Sequence, residues 1–318
     1  MRAERDVRAV PSVRPVETFP FDTAVGRVTL SRCGVPGGEP VVYLHSAGGE
    51  GGADSAAPFL ERIGEWADVY APMLPGFSGS EGLDQIDDME DAVYHMLDLL
   101  ERLGLGDGIS RGGPGGGSGG TGGGRGGEVT RRPHLVGLSL GGWLAAEIAW
   151  RHPGALASMT LVNAPGIYVE GAPMAELFGR PIDELAEDTF ADQSHPVAAM
   201  MHQLASMGAA GAGAVPFDLV RPYFEAMAAA AKLGWDPYFH NPKMRRRLHR
   251  VDVPTLVVAG RLDGLVPNAV AEEYARLIRG ARLVYIEDAS HMIPLEQPDR
   301  LALLVREVVE PVPGRSSA

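Results

Sequence analysis

Cysteine and lysine are nearly missing from this chain. Cys33 is the only cysteine among 318 residues, which excludes an internal disulfide and a cysteine-built metal centre. It falls inside a predicted strand, so its thiol is expected to be buried and structural. Lys232 and Lys243 are the only lysines, and the rest of the 28 positive charges are arginine. Acidic residues number 41 and the formal net charge is -13, so no nucleic-acid partner is expected. Long hydrophobic runs are absent as well. No run approaches the roughly 20 residues that span a bilayer, so no membrane partner is expected. The opening Met1-Arg2-Ala3-Glu4-Arg5-Asp6 is mixed in charge, and the apolar core of a signal peptide does not follow it. The expectation is a soluble, cytoplasmic protein, with homo-oligomerisation left open.

Hydrophobic residues make up 45% of the chain, which is enough for one large domain, or a domain with an insertion, to bury a core. Residues 1–15 read as a flexible N-terminal arm punctuated by Pro11 and Pro15. Strands are expected at Val16 to Phe21, Val25 to Arg32, Val41 to Leu44, Asp68 to Ala71, His134 to Val136, Leu156 to Asn163, Val253 to Ala259 and Ala281 to Ile286. Helices are expected between them at Ala56 to Trp66, Asp87 to Leu103, Ser139 to His152 and Ala269 to Arg279, with a closing helix at Pro298 to Val309. Strands alternating with helices indicate a mostly parallel sheet covered on both faces.

Two stretches break the alternation. Residues 106–127 are Gly-Ser-Thr-rich and cannot bury apolar surface, so a disordered surface insertion is expected. Their matches to Gly-x-Gly-x-x-Gly follow a helix where a dinucleotide site needs a strand. Residues 165–250 carry helical segments (Met174 to Phe178, Ile182 to Phe190, His195 to Met207, Phe217 to Leu233) rich in Met and aromatics, and read as a helical cap. Arg245-Arg246-Arg247 reads as a solvated helix face.

Gly137-Leu138-Ser139-Leu140-Gly141-Gly142 is the most informative segment. It follows an apolar strand and opens an Ala-rich helix, the context in which Gly-x-Ser-x-Gly has meaning. The turn from strand to helix leaves no room for side chains beside the serine, and Gly137 and Gly141 supply that room. Ser139 is forced out at the tip, at the helix end that favours developing negative charge. A serine nucleophile needs a base, and the base needs an orienting acid. Asp263 follows the strand at Val253 to Ala259, and His291 follows the last strand. The order serine, acid, histidine, each after a strand, places all three at the carboxyl edge of one sheet, where ligands of such sheets bind. Asp288 is the rival acid, but three residues from His291 it reads as a loop cap. One oxyanion donor is expected at the N–H of Leu140. The other is expected at Ala47, in His45-Ser46-Ala47-Gly48-Gly49, with His45 orienting that loop. His134, His195, His202, His240 and His249 lack partners at metal-ligand spacing and read as surface or packing residues.

With Leu74-Pro75-Gly76-Phe77-Ser78-Gly79-Ser80 added to these blocks, the chain resembles the α/β-hydrolase fold superfamily over residues 16 to 310. Within it the chain resembles the group of capped serine esterases and meta-cleavage-product hydrolases. That resemblance implies a mostly parallel eight-stranded sheet flanked by helices, with the helical cap (165–250) inserted after the sixth strand and a core of 16–164 and 251–318. The chain departs from the family pattern at Ser46, where glycine is usual, and at the Gly-rich insertion. The implied activity is hydrolysis of a small, apolar carboxylic ester through an acyl-enzyme, with no cofactor or metal. Two alternatives stand beside it: carbon–carbon bond hydrolysis of a 1,5-dioxo compound, and a non-catalytic small-molecule receptor on the same fold.

Overall fold

A computed structural model of the protein describes residues 13–49, 56–106, 131–209 and 215–310. Most of the expected arm at 1–15 and nearly all of the Gly-rich segment at 106–127 lie outside the described residues.

Eight strands form one sheet. They are β1 (Arg14–Asp22), β2 (Arg27–Gly34), β3 (Glu39–Leu44), β4 (Ala67–Pro72), β5 (His134–Leu138), β6 (Ser158–Val162), β7 (Thr255–Gly260) and β8 (Arg282–Ile286), in the order β1-β2-β4-β3-β5-β6-β7-β8. β2 pairs antiparallel with β1 and with β4, and every other pairing is parallel. Each strand expected from the sequence is present, displaced by a few residues at its ends.

The inner strands are short and apolar because helices cover both of their faces. Along β3, Val41 and Tyr43 enter one core with Phe59, Leu60 and Ile63 of α1 (Ala57–Gly64) and Leu301, Leu304 and Val305 of α9 (Pro298–Val309). Val42 and Leu44 enter the opposite core. There they join α2 (Met89–Arg102), α3 (Leu140–Arg151) and Val270, Ala271 and Tyr274 of α7 (Asn268–Leu277). Each such side chain contributes roughly 1.5–3 kcal/mol by leaving water. Cys33 is buried in β2 and its thiol donates to the Leu60 carbonyl at 3.4 Å. Burial pushes that thiol up to about 12, as expected of a structural cysteine. α2 starts at Asp88, whose carboxylate accepts from the N–H groups of Glu90 and Asp91.

Between β6 and β7 the chain forms α4 (Ile182–Thr189), α5 (Pro196–Ala209) and α6 (Phe217–Gly234). α6 is pinned to the core where the Lys232 ammonium donates to the carbonyls of Leu83 and Ile86. The helix expected at Met174 to Phe178 does not form. Its backbone N–H groups bond elsewhere, Ala175 to the Leu265 carbonyl, Leu177 to the Tyr238 hydroxyl and Phe178 to the Glu176 carboxylate, so these donors do not pair along a helix. The arginine run is also not a freely solvated α-helical face. Met244–Arg246 is a 3-10 turn, Arg245 pairs with Glu273 at 2.7 Å, and Arg247 lies over the Trp150 ring at 4.5 Å. Among the described residues no helix is long and apolar enough to cross a membrane.

Candidate active site

Ser139 sits between β5 and α3 with φ 52° and ψ -118°, a region L-residues rarely enter. Holding it there costs on the order of 1–3 kcal/mol, which the surrounding contacts must offset. The Ser139 N–H donates to the Val162 carbonyl at 2.8 Å, and the Ser139 carbonyl accepts from Trp143 at 3.0 Å. Close backbone approach explains the glycines. A Cβ on Gly137 would stand 2.3 Å from the Gly141 oxygen, and a Cβ on Gly141 would stand 2.2 Å from the Leu44 oxygen. The parallel pairing that sets Leu44 opposite Gly137 brings the end of β3 to this turn. Ser139 is buried, with 2% of its surface exposed.

His291 and Asp263 meet from the loops after β8 and β7. His291 Nδ1 lies 2.9 Å from Asp263 Oδ2, with side-chain exposures of 3% and 1%. A carboxylate only accepts, so Nδ1 is the nitrogen that carries the proton towards Asp263. The second oxygen, Asp263 Oδ1, accepts from the N–H groups of Leu265 and Val266, both at 2.9 Å, which fixes the carboxylate plane. Asp288 is exposed and accepts from Gln297 at 3.1 Å. The structure therefore brings Asp263 to His291 and leaves the rival acid at the surface.

Leu140 is the first residue of α3, so its N–H has no partner inside that helix. Ala47 lies in a tight turn closed by two bonds to Ser46. The Gly48 N–H donates to Ser46 Oγ, and the Gly49 N–H to the Ser46 carbonyl, both at 3.1 Å. Neither bond uses the N–H of Ala47. Ser46 has no positive φ, so serine replaces the usual glycine without strain and its hydroxyl closes the turn. His45 holds this loop in place. Its Nε2 accepts from the Leu74 N–H at 2.9 Å, which leaves Nδ1–H to donate to the Ser46 carbonyl at 2.7 Å. Burial lowers His45 to about 4, so the ring stays neutral. The His45 ring also packs on Phe77 with ring centroids 4.7 Å apart.

Two residues passed over in the sequence hold the site together. Asn163, in the left-handed region at φ 45°, follows β6. Its amide donates to the carbonyls of Ser290 and His291 at 3.0 and 2.9 Å and accepts from the Gly260 N–H at 2.8 Å. One side chain thus joins the ends of β6 and β7 to the histidine loop. Its signal was a polar residue closing the apolar run Met159-Thr160-Leu161-Val162. Glu147 of α3 is fully buried. Its carboxylate accepts from Trp143, Trp150, Arg151 and Asn241, tying the helix behind Ser139 to the segment after α6. A lone carboxylate in an Ala- and Trp-rich helix was the signal there. Among the described residues no three His, Cys, Asp or Glu side chains gather as a metal-ligating group.

A model of the alpha/beta hydrolase family matches residues 17–302. The chain belongs to that family. It is a hydrolase, as the family's relatives are. A pimeloyl-[acyl-carrier protein] methyl ester esterase of Neisseria meningitidis is 30% identical over 191 residues, 56% of this chain and 70% of the relative. An esterase of the same name from Aeromonas salmonicida is 25% identical over 79% of this chain and 98% of its own length. Among solved structures, a 2-hydroxy-6-oxo-6-phenylhexa-2,4-dienoate hydrolase from Rhodococcus sp. strain RHA1 superposes with a TM-score of 0.66. It shares 23% identity and covers 92% of this chain and 98% of its own, a likeness that speaks to the shared alpha/beta hydrolase fold.

Proposed function

We propose that this member of the alpha/beta hydrolase family is a serine esterase. Ser139 is the nucleophile, His291 the general base and Asp263 the acid that orients it. The observation that carries the reading is the buried His291–Asp263 contact at 2.9 Å, at the same sheet edge as a serine held at positive φ in a glycine turn. His291 Nε2 takes the proton of the Ser139 hydroxyl as Oγ adds to the ester carbonyl. The N–H groups of Leu140 and Ala47 hold the oxyanion that forms. The imidazolium returns its proton to the departing alcohol, which leaves an acyl group on Ser139. Water deprotonated by His291 then attacks the acyl carbon, and the acid leaves with Ser139 restored.

The substrate class is a small carboxylic ester with an apolar acyl group. The names of the more similar relatives support an alkyl ester over a carbon–carbon bond, because the dienoate hydrolase likeness is one of fold. Residues 165–250 act as the cap over Ser139. Their aromatic packing supports an apolar pocket: Phe178 stacks on Phe239 at 5.4 Å, and Phe239 reaches Trp143 of α3 at 6.4 Å. The test is a panel of methyl and p-nitrophenyl esters beside a 2-hydroxy-6-oxo-dienoate, with wild type and Ser139→Ala. Turnover of esters, reduced about a thousandfold or more in the variant, is expected. Turnover of the dienoate alone, or ligand binding with no turnover of any member, would replace the esterase reading.

A further inference from the structure

The C-terminal end of α4 is fastened to both loops that carry the candidate acid and base. The Asp188 carbonyl accepts from the Gly264 N–H at 3.0 Å and from the Ser290 hydroxyl at 2.8 Å. The next carbonyl, Thr189, accepts from the Met292 N–H at 3.0 Å. Gly264 follows Asp263, and Ser290 and Met292 flank His291. Glu296 adds a second fastening. One of its oxygens accepts from Ala191 and Asp192 and the other from the Ser290 N–H. The last carbonyls of a helix have no partner within it, and here two of them are met by the acid and base loops.

The Asp188 side chain carries charge to the same place. Its Oδ1 lies 2.9 Å from where a Cβ on Gly264 would stand, so no side chain separates it from the turn that holds Asp263. Arg180, just before α4, meets Asp188 Oδ2 at 3.0 Å. Four charged groups act on Asp188: Arg180 opposes its rise, while Asp263, Glu184 and Glu187 add to it after desolvation, the largest cause. Arg180 is the cation that meets Asp188 at the joint between α4 and the sheet edge, and it is shared with the exposed Glu184, whose Oε2 lies 3.6 Å from it.

We propose that Arg180 and Asp188 are positioning residues that set the charge behind the Asp263–His291 pair, so that α4 seating fixes both the place and the strength of the base. This rests on the esterase reading above. With both present, Arg180 offsets the Asp188 carboxylate, the buried-side partner nearest the acid loop, so that Asp263 supplies most of the negative charge behind His291. Removing the Asp188 charge leaves Arg180 with only the exposed, solvent-screened Glu184 as counter-charge and disfavours the imidazolium. Removing Arg180 leaves a second negative charge and favours it.

The test is the pH profile of kcat/KM on a p-nitrophenyl ester for wild type, Asp188→Asn, Arg180→Gln, Arg180→Lys, the Asp188→Asn/Arg180→Gln pair and Ser139→Ala. Asp188→Asn should move the acid limb down, and Arg180→Gln should move it up. Each shift should be about one pH unit, the scale of one charge acting across roughly 12 Å through an effective dielectric near 20. Arg180→Lys should match wild type, and the double variant should return the limb to the wild-type position. A merely structural pair would lower activity in both single variants without opposite shifts, and that result would overturn the proposal. Asp188→Asn keeps the size of the residue and both backbone bonds. Should Arg180→Gln fail to fold, the downward shift in Asp188→Asn alone decides, and its absence refutes the proposal. Turnover surviving in Ser139→Ala would instead overturn the esterase reading on which the proposal rests.

Discussion

Replacing Asn163 by alanine removes three hydrogen bonds from one buried joint. The carbonyls of Ser290 and His291 lose their donor and the Gly260 N–H loses its acceptor. A buried polar group left unpaired costs about 1–3 kcal/mol, so the three together amount to roughly 3–9 kcal/mol. Asn163 also sits at φ 45°, a conformation asparagine tolerates and alanine does not. That adds roughly 1 kcal/mol for alanine and nothing for glycine. Asn163→Ala is therefore expected to lose about 4–10 kcal/mol in urea unfolding, and Asn163→Gly about 1 kcal/mol less. The catalytic effect should be separate and visible in whatever fraction folds. Releasing the His291 loop misplaces the base, and a displacement near 1 Å is worth about a hundredfold in kcat. If Asn163→Ala unfolds within about 1 kcal/mol of wild type and keeps its kcat, the joint carries neither stability nor alignment and the reasoning fails.

Gly141→Ala drives a Cβ to 2.2 Å from the Leu44 oxygen, so it should abolish ester turnover and lower the melting temperature. Gly208→Ala meets open space and should leave activity unchanged while adding up to about 1 kcal/mol of helix stability. Acid should weaken the fold in a defined window. Burial lowers His45 and His95 to about 4, while unfolded histidine titrates near 6.5. The unfolded chain takes up protons first, so stability is full above about pH 6.5 and is lost as pH falls towards 4, by about 2 kcal/mol per histidine at pH 5. Among the described residues neither buried ring nitrogen of His95 has a hydrogen-bond partner, so His95→Leu should keep or raise stability at pH 7.5 and remove its share of the acid loss. An unchanged pH slope in urea unfolding would show that His95 is not one of the two groups.

Local patterns made most of the fold legible. The apolar runs ending at Leu44, Leu138, Val162 and Gly260 are strands because both of their faces are covered, and that reads directly from sequence. The glycine turn around Ser139 reads as well, because its constraint is local and steric. Met174 to Phe178 did not read, because its N–H groups bond to Leu265 and Tyr238, far away in the chain. Asn163, Glu147 and Asp188 were missed for the same reason. Asn163 through all its side-chain partners, and Glu147 through Asn241, reach residues more than ninety positions away, contacts that no window of sequence contains. Asp263 over Asp288 was chosen on position alone, and the geometry separates the two carboxylates by which one reaches His291.

The central claim is that the Ser139 hydroxyl attacks. Intact-mass and peptide mass spectrometry after treatment with a fluorophosphonate tests it most directly. The expected result is one phosphonyl group per chain, located on Ser139, with ester turnover lost in step with labelling and no label on folded Ser139→Ala. Folded protein that turns over esters while Ser139 stays unlabelled, or a Ser139→Ala variant that matches wild type, would contradict the account.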